Sequence, residues 1–292
     1  MPELRGNSSA HVPPISWRRH AIDHLMTGVA VLTVVLVLVP LVAIFGYLLY
    51  RGLGSINWAF LTQTPKPVGE PGGGMANAIV GSVLILGIAS LIGVPFGIGA
   101  GIYLAEFGRN RFGSAIRFTA DVLNGVPSIV IGIVAWAILV RGRGFSALAG
   151  GVALAIMMVP TISRTTEEML LLVPQALREA AYGLGVPRWR TTLSIVLRTA
   201  TSGVITGVML AFARVAGETA PLLFTTLGNT FWNVHYNQPT AALPLQIYVY
   251  ANSPYDDWHR QAWAGSFVLI LLIVGSVAAV RYAVRRGTFG AA

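Results

Sequence analysis

Cysteine is absent from the 292-residue chain. That excludes disulfides, thiolate nucleophiles and cysteine metal sites, and leaves the compartment open. Lysine occurs once, as Lys66 in TPKPVG. A phosphate loop of the form G-x-x-x-x-G-K-[ST] places a lysine on the β- and γ-phosphates, and no such loop surrounds Lys66. The five histidines, His11, His20, His24, His235 and His259, show neither H-E-x-x-H nor any other metal-ligand spacing. No cofactor, no metal and no catalytic constellation is therefore expected in this chain, which reads as a non-enzyme. Charge is scarce as well. Charged residues make up 11% of the sequence, against about 25% in ordinary soluble domains. So few charges cannot clothe a water-exposed surface of this size.

What is present is apolar: 54% of residues are hydrophobic. Crossing about 30 Å of hydrocarbon takes roughly 20 apolar residues. Six segments qualify, near 26–50, 78–105, 117–140, 145–163, 199–223 and 262–284. The fold class is accordingly an all-α membrane protein of six transmembrane helices. The first run lacks a small-residue cleavage site and reads as a retained span. Little is left for a soluble domain. The expected organisation is an N-terminal segment 1–25, a membrane domain 26–286 and a tail 287–292, with external loops near 51–77 and 224–261.

The net charge of +9 is a matter of topology. Its arginines flank apolar segments instead of forming one face, so the expected partner is the lipid membrane and not nucleic acid. A cytoplasmic N-terminus puts fourteen arginines inside and only Arg51, Lys66, Arg141, Arg143 and Arg260 outside, with Arg214 within a span. This excess obeys the positive-inside rule and places both termini in the cytoplasm, Arg141 and Arg143 being the exceptions.

Two glycine series mark helices packed on protein. Gly93, Gly97 and Gly101 recur every four residues in the second span, where Pro95 is expected to bend the helix. Packing within the subunit is the simpler use of that face, a dimer seam the other. In the fifth span Gly203 and Gly207 lie within about 40° of Arg214 by helical geometry, which turns Arg214 toward the bundle. An intramembrane arginine keeps its proton and costs roughly 2.5–3.5 kcal/mol at mid-helix, so it needs a partner or water. Glu218 stands one turn on, in RVAGETAPLL, as a local ion pair or as part of a functional site. Gly217 and Pro221 flank it and can part the two charges.

The cytoplasmic connection 164–198 is the other informative stretch. Pro174 breaks the incoming helix, and Gln175 to Leu184 forms a short amphipathic helix with Leu177, Ala181 and Leu184 at i, i+4 and i+7. Gly185 stands where a left-handed cap wants glycine, and Pro187 can start the next helix. Such a segment can lie on lipid headgroups or dock in the groove of a cytoplasmic partner. Outside, Trp58, Phe60, Phe231, Trp232, Tyr236, Tyr248, Tyr250, Tyr255 and Trp258 suit an interfacial belt, a few of them free for a partner. The amides of Gly72, Gly73 and Gly74 are candidates for the outer mouth of a pathway.

The stretch EAAYGLGVPRWRTTLSIVL, Glu179 to Leu197, resembles the EAA loop of bacterial ABC-importer permeases. Glu179, Ala180, Ala181, Gly185, Ile195 and Leu197 match that pattern, while Arg198 stands where the general pattern has proline. With GGGMANAIVGS, GIYLAEFGRNR, PSIVIGI, RTTEEMLLLVP and RVAGETAPLLFT, the ordered series from about Thr64 to Gly265 is similar to the PstA-type permeases of phosphate importers.

The resemblance implies a type I ABC-importer fold in the bacterial cytoplasmic membrane. It implies a PstC-like second permease, two copies of a PstB-like ATPase that bind the ATP and magnesium, and a PstS-like phosphate-binding protein outside. Glu179, Ala180, Ala181 and Gly185 would belong to the coupling helix seated in one ATPase. In that setting Arg214, Glu218 and Arg164 become candidates for the anion path, since guanidinium matches phosphate oxygens at any working pH. Arg164 serves equally as a headgroup anchor. The residues alone do not separate phosphate from sulfate, arsenate or molybdate. An ion-coupled secondary transporter would need two inverted halves, of which the sequence gives no convincing sign. A scaffold subunit would not need the protruding segment.

Overall fold

The computed structural model describes residues 17–68, 70 and 72–289, with side chains to 284. Within the expected terminal segments, 1–16 and 290–292 lie outside the described residues, and so do Arg5 and His11. The chain divides into two compact units, residues 1–50 and 51–292. The described part of the first belongs to helix α1 (Trp17–Leu53), which is exposed along nearly its whole length. A helix apolar on every side needs lipid or another protein around it, not water.

In the second unit the helices are α2 (Trp58–Thr62), α3 (Ala76–Glu106), α4 (Arg111–Gly125), α5 (Ser128–Ala135) and α6 (Ala147–Leu171). They continue as α7 (Gln175–Gly183), α8 (Arg188–Thr191), α9 (Leu197–Ala216), α10 (Ala220–Thr225), α11 (Leu243–Ala251) and α12 (Asp256–Phe289). Single π-helical turns, Trp136–Val140 and Thr192–Val196, extend α5 and lead into α9. Among the described residues no strand forms, only one isolated bridge between Leu227 and Thr240.

Among the described residues five helices are long and apolar enough to cross a membrane. The expected third span is not one helix: α4 and the α5 segment meet at 106°. Val126 and Pro127 are extended there, with ψ of 131° and 135°. Proline lacks an N–H and disfavours helix in the residue before it, so Gly125-Val126-Pro127 ends one helix before the next begins. Hydropathy is blind to such a break. The fifth span also differs from 199–223, because α9 stops at Ala216. Pro95, by contrast, is accommodated within the continuous α3.

The core is the pair α3 and α6, which run parallel in contact along most of their length. Gly93, Gly97 and Gly101 are buried and present bare backbone to Ala155, Met158, Ile162 and Thr166, which is the within-subunit packing expected of that face. From the other side, Gly151 of α6 meets Ile88. Further along α6, Met169 and Thr165 fill the spaces left by Gly203 and Gly207 of α9. Small residues on both partners let backbones approach, and dispersion then supplies the attraction that hydrophobicity cannot supply in lipid.

One measurement checks this use of glycine. A Cβ at Gly97 would lie 2.6 Å from the Cβ of Ile162, whereas one at Gly99 meets nothing within 4 Å. Gly97→Val is expected to cost about 1–3 kcal/mol by overpacking. Thermal unfolding in detergent should then fall by roughly 3–9 °C. Gly99→Ala should hold or raise the Tm.

Candidate functional site

Helix α6 ends at Leu171, and Pro174 caps the start of α7. After Gly183 the chain closes in a left-handed turn: Gly185 has φ of +77°, donates to the Tyr182 carbonyl at 2.9 Å, and Val186 donates to Ala181 at 3.0 Å. These two bonds satisfy the last carbonyls of α7, and the positive φ explains the glycine. Pro187 caps α8 instead of occupying its first turn. The short helix expected from Gln175 to Leu184 is thus present as a discrete knuckle, its helical part Gln175–Gly183.

Its exposure is lopsided. Only Arg178 and Ala181 of α7 are buried. Glu179, Ala180, Leu177 and Gly185 are exposed, and Leu184 reaches 84%. Trp189, Arg188 and Arg190 continue the exposed surface onto α8. The apolar stripe Leu177–Ala181–Leu184 therefore does not fold inward as a unit. It is Arg178 that points into the protein.

Arg178 donates from Nη1 to the Val173 carbonyl at 2.6 Å and from Nη2 to the Leu170 carbonyl at 2.8 Å. Its Nε and Nη2 reach one oxygen of Glu106, at 3.3 and 3.1 Å. A buried guanidinium is tolerable because its donors are met and its charge is balanced by a carboxylate.

A second ionic cluster lies at the same end of the bundle. Glu167 of α6 is buried and takes Arg117 Nε of α4 at 2.7 Å on one oxygen. On its other oxygen it takes Arg164 Nη1 at 3.1 Å, one helical turn before it. Arg164 also pairs with Asp121 at 3.0 Å, and Arg117 donates to the carbonyls of Gly108 at 2.8 Å and Leu104 at 2.9 Å. Two arginines and two carboxylates make the cluster formally neutral. Arg164, a candidate for the anion path or a headgroup anchor, is thus held by Asp121 and Glu167 between α4 and α6.

Arg214 and Glu218 are not brought together. Helix α9 ends at Ala216, and Glu218 donates its backbone N–H to Val215 at 3.1 Å in a turn before α10. A spacing of four residues makes neighbours only on a continuing helix, and Gly217 and Thr219 redirect the chain. Gly203 and Gly207 pack on α6 as above, but Arg214, on the same side of α9, is exposed and Glu218 half-buried. The bundle-facing position expected of Arg214 is a surface of this chain instead.

At the far end of α3, Gly72 and Gly73 have φ of +92° and +79°. Gly73 and Gly74 are buried beneath the segment after α2, where Gly74 donates to Thr64 at 3.2 Å and a Cβ would strike Ala59 and Phe60. Gly72 is exposed and its carbonyl accepts from Gln261 at 3.0 Å. These glycines serve a tight backbone crossing, with Gly72 alone at the surface.

Sequence reasoning missed Glu106, Arg117, Asp121, Glu167 and Arg178. Glu167 had a local signal, an acid three residues after Arg164 inside an apolar helix. Arg178 with Glu106 had none, since 72 residues separate them.

A family model, binding-protein-dependent transport system inner membrane component, matches residues 93–287. The chain is 44% identical over 261 residues to the phosphate transport system permease protein PstA of Haemophilus influenzae, covering 88% of this chain and 92% of that one. To the PstA of Pasteurella multocida it is 47% identical over 230 residues, covering 78% and 81%. Among solved structures, an inward-facing form of the MetNI methionine ABC transporter superposes with a TM-score of 0.54 at 17% identity, over 73% of this chain and 94% of that one. That likeness places the bundle in the type I ABC-importer permease fold. With its apolar helices, its exposed α7 and the relatives it matches over most of its length, the chain belongs to the family of binding-protein-dependent transport system inner membrane components.

Proposed function

We propose that this chain is one of the two channel-forming subunits of an ATP-driven phosphate importer in the bacterial cytoplasmic membrane. Its termini and α7 face the cytoplasm, and a partner ATPase binds the ATP and magnesium. The observation that carries this reading is α7. Helix α7 stands out from the bundle with Leu177, Glu179, Ala180 and Leu184 uncovered, which is what docking in a groove of an ATPase requires. Closure of the two ATPase copies pulls α7, and the helices joined to it swing between outward and inward openings. The names of the PstA relatives support phosphate as the substrate. A PstC-like permease completes the passage, and a PstS-like binding protein delivers the anion at the end carrying Gly72 and the 227–242 loop.

Along the passage, Arg214 supplies an uncovered guanidinium that meets the anion, and Glu218, half-buried nearby in sequence, limits how tightly it is held. Arg164 lies further toward the α7 end, its charge balanced by Asp121 and Glu167. Gly72 lies at the outer mouth.

The test is ATP hydrolysis by the complex reconstituted from this chain, its companion permease, the ATPase and the binding protein. Phosphate-loaded binding protein should stimulate hydrolysis severalfold, while sulfate or molybdate should leave the basal rate. Stimulation by sulfate or molybdate would move the chain to another oxyanion importer. Uptake by this chain alone, driven by an ion gradient, would replace the importer reading by a secondary transporter.

A further inference from the structure

We infer that Arg178 is the positioning residue that carries the movement of α7 into the membrane bundle, a role that rests on the importer reading above. A helix exposed on most of its surface can transmit force only through the contacts it keeps. Helix α7 buries two residues, and of these Ala181 offers a single methyl group. Arg178 offers four hydrogen bonds to three places: the Leu170 carbonyl near the end of α6, the Val173 carbonyl just beyond it, and Glu106, the last residue of α3.

The anchor is well chosen on physical grounds. The Leu170 carbonyl lies in the last turn of α6, where backbone bonding has passed into turns such as Val173 N–H to Leu170 at 3.3 Å, and Val173 stands just past the helix end; a cation there also meets the helix dipole favourably. Glu106 brings in the second helix of the glycine-packed pair. Because Met158, Ile162 and Thr166 of α6 seat directly on the bare backbone at Gly93, Gly97 and Gly101, the two helices move as one body, and Arg178 grips both at once. Leu170 and Val173 are themselves buried against Val196, Ala200 and Val204 at the start of the fifth span. The other exit from α7 runs through the Gly185 turn, whose bonds are internal to the knuckle. The guanidinium is therefore the stiff link, and the glycine turn the compliant one.

The experiment uses the complete reconstituted complex and reads phosphate moved per ATP hydrolysed. Arg178→Gln should assemble and hydrolyse ATP, yet move about tenfold less phosphate per ATP, because driving and responding elements are disconnected. Arg178→Lys should not restore the ratio, since one ammonium cannot span three acceptors in a planar fork. An unchanged ratio in Arg178→Gln would overturn the inference. Should that variant fail to assemble, the decisive protein is Glu106→Cys with Arg178→Cys, clean in a chain without cysteine. Joining the two thiols with a short bis-methanethiosulfonate should raise the ratio, and dithiothreitol should lower it again. Equal ratios in the joined and released forms would overturn the inference. A wild-type complex that hydrolyses ATP without moving phosphate would instead sink the importer reading, and the two failures are told apart by that control.

Discussion

Glu167→Leu is expected to lower the Tm of the purified complex in detergent by about 5–10 °C. The carboxylate is 4% exposed and answers two arginines from different helices, Arg117 at 2.7 Å and Arg164 at 3.1 Å. Removing one member of a buried ionic group costs about 3–5 kcal/mol, because the charges left behind have lost both water and partner. Here the figure is reduced to about 2–3 kcal/mol, since the arginine side chains are 29% and 31% exposed and solvent screens part of the loss. Arg117 also keeps the Gly108 and Leu104 carbonyls, and Arg164 keeps Asp121. For a chain of this size each kcal/mol lowers the Tm by roughly 2–4 °C. Arg117→Met combined with Glu167→Leu should cost less than the sum of the single changes, because the second substitution removes a charge that the first had stranded. An unchanged Tm in Glu167→Leu would show that water reaches the cluster and that it holds nothing together.

That cluster also marks where sequence reasoning stops. The second, fourth and sixth spans follow from hydropathy, because apolar length is a property of consecutive residues. The Gly185 turn follows for the same reason: one glycine after an amphipathic run, then proline, fixes a local geometry. The bend at Val126–Pro127 was written in the sequence but hidden inside an apolar run, where a window average does not register a single proline. The bonds that unite the α7 end are different in kind. Arg117 with Glu167 and Arg178 with Glu106 span 50 and 72 residues. They exist only once the glycine faces have set α3 against α6, so a charge near a span end reads as a headgroup anchor until the packing shows what it grips. Arg214 and Glu218 failed in the opposite direction. Their spacing promised a contact, and the end of α9 at Gly217 withdrew it.

Arg214→Gln is expected to cut phosphate uptake by about 10- to 100-fold in a complex whose assembly and Tm are unchanged. Among the described residues neither an ion pair nor a side-chain hydrogen bond is made by Arg214, and it is exposed at the last turn of α9, so its removal takes nothing from the fold of this chain. A charge that does not stabilise the fold, in a segment where insertion alone costs roughly 2.5–3.5 kcal/mol, calls for another role. Hydrogen bonds to an ionised partner contribute about 1.5–3 kcal/mol, which sets the size of the loss when the guanidinium no longer meets an anion in transit. Arg214→Lys should recover part of the uptake, because it restores the charge but not the forked donor set that fits two phosphate oxygens. Glu218→Gln should act in the reverse sense. Without the carboxylate four residues on, anion release slows, so phosphate retained by the complex rises while turnover falls. These three substitutions separate a pathway role from a structural one, for a structural arginine would lower the Tm together with uptake. Full uptake in Arg214→Gln would remove this residue from the path and leave Arg164, already neutralised by Asp121 and Glu167, as a weaker candidate.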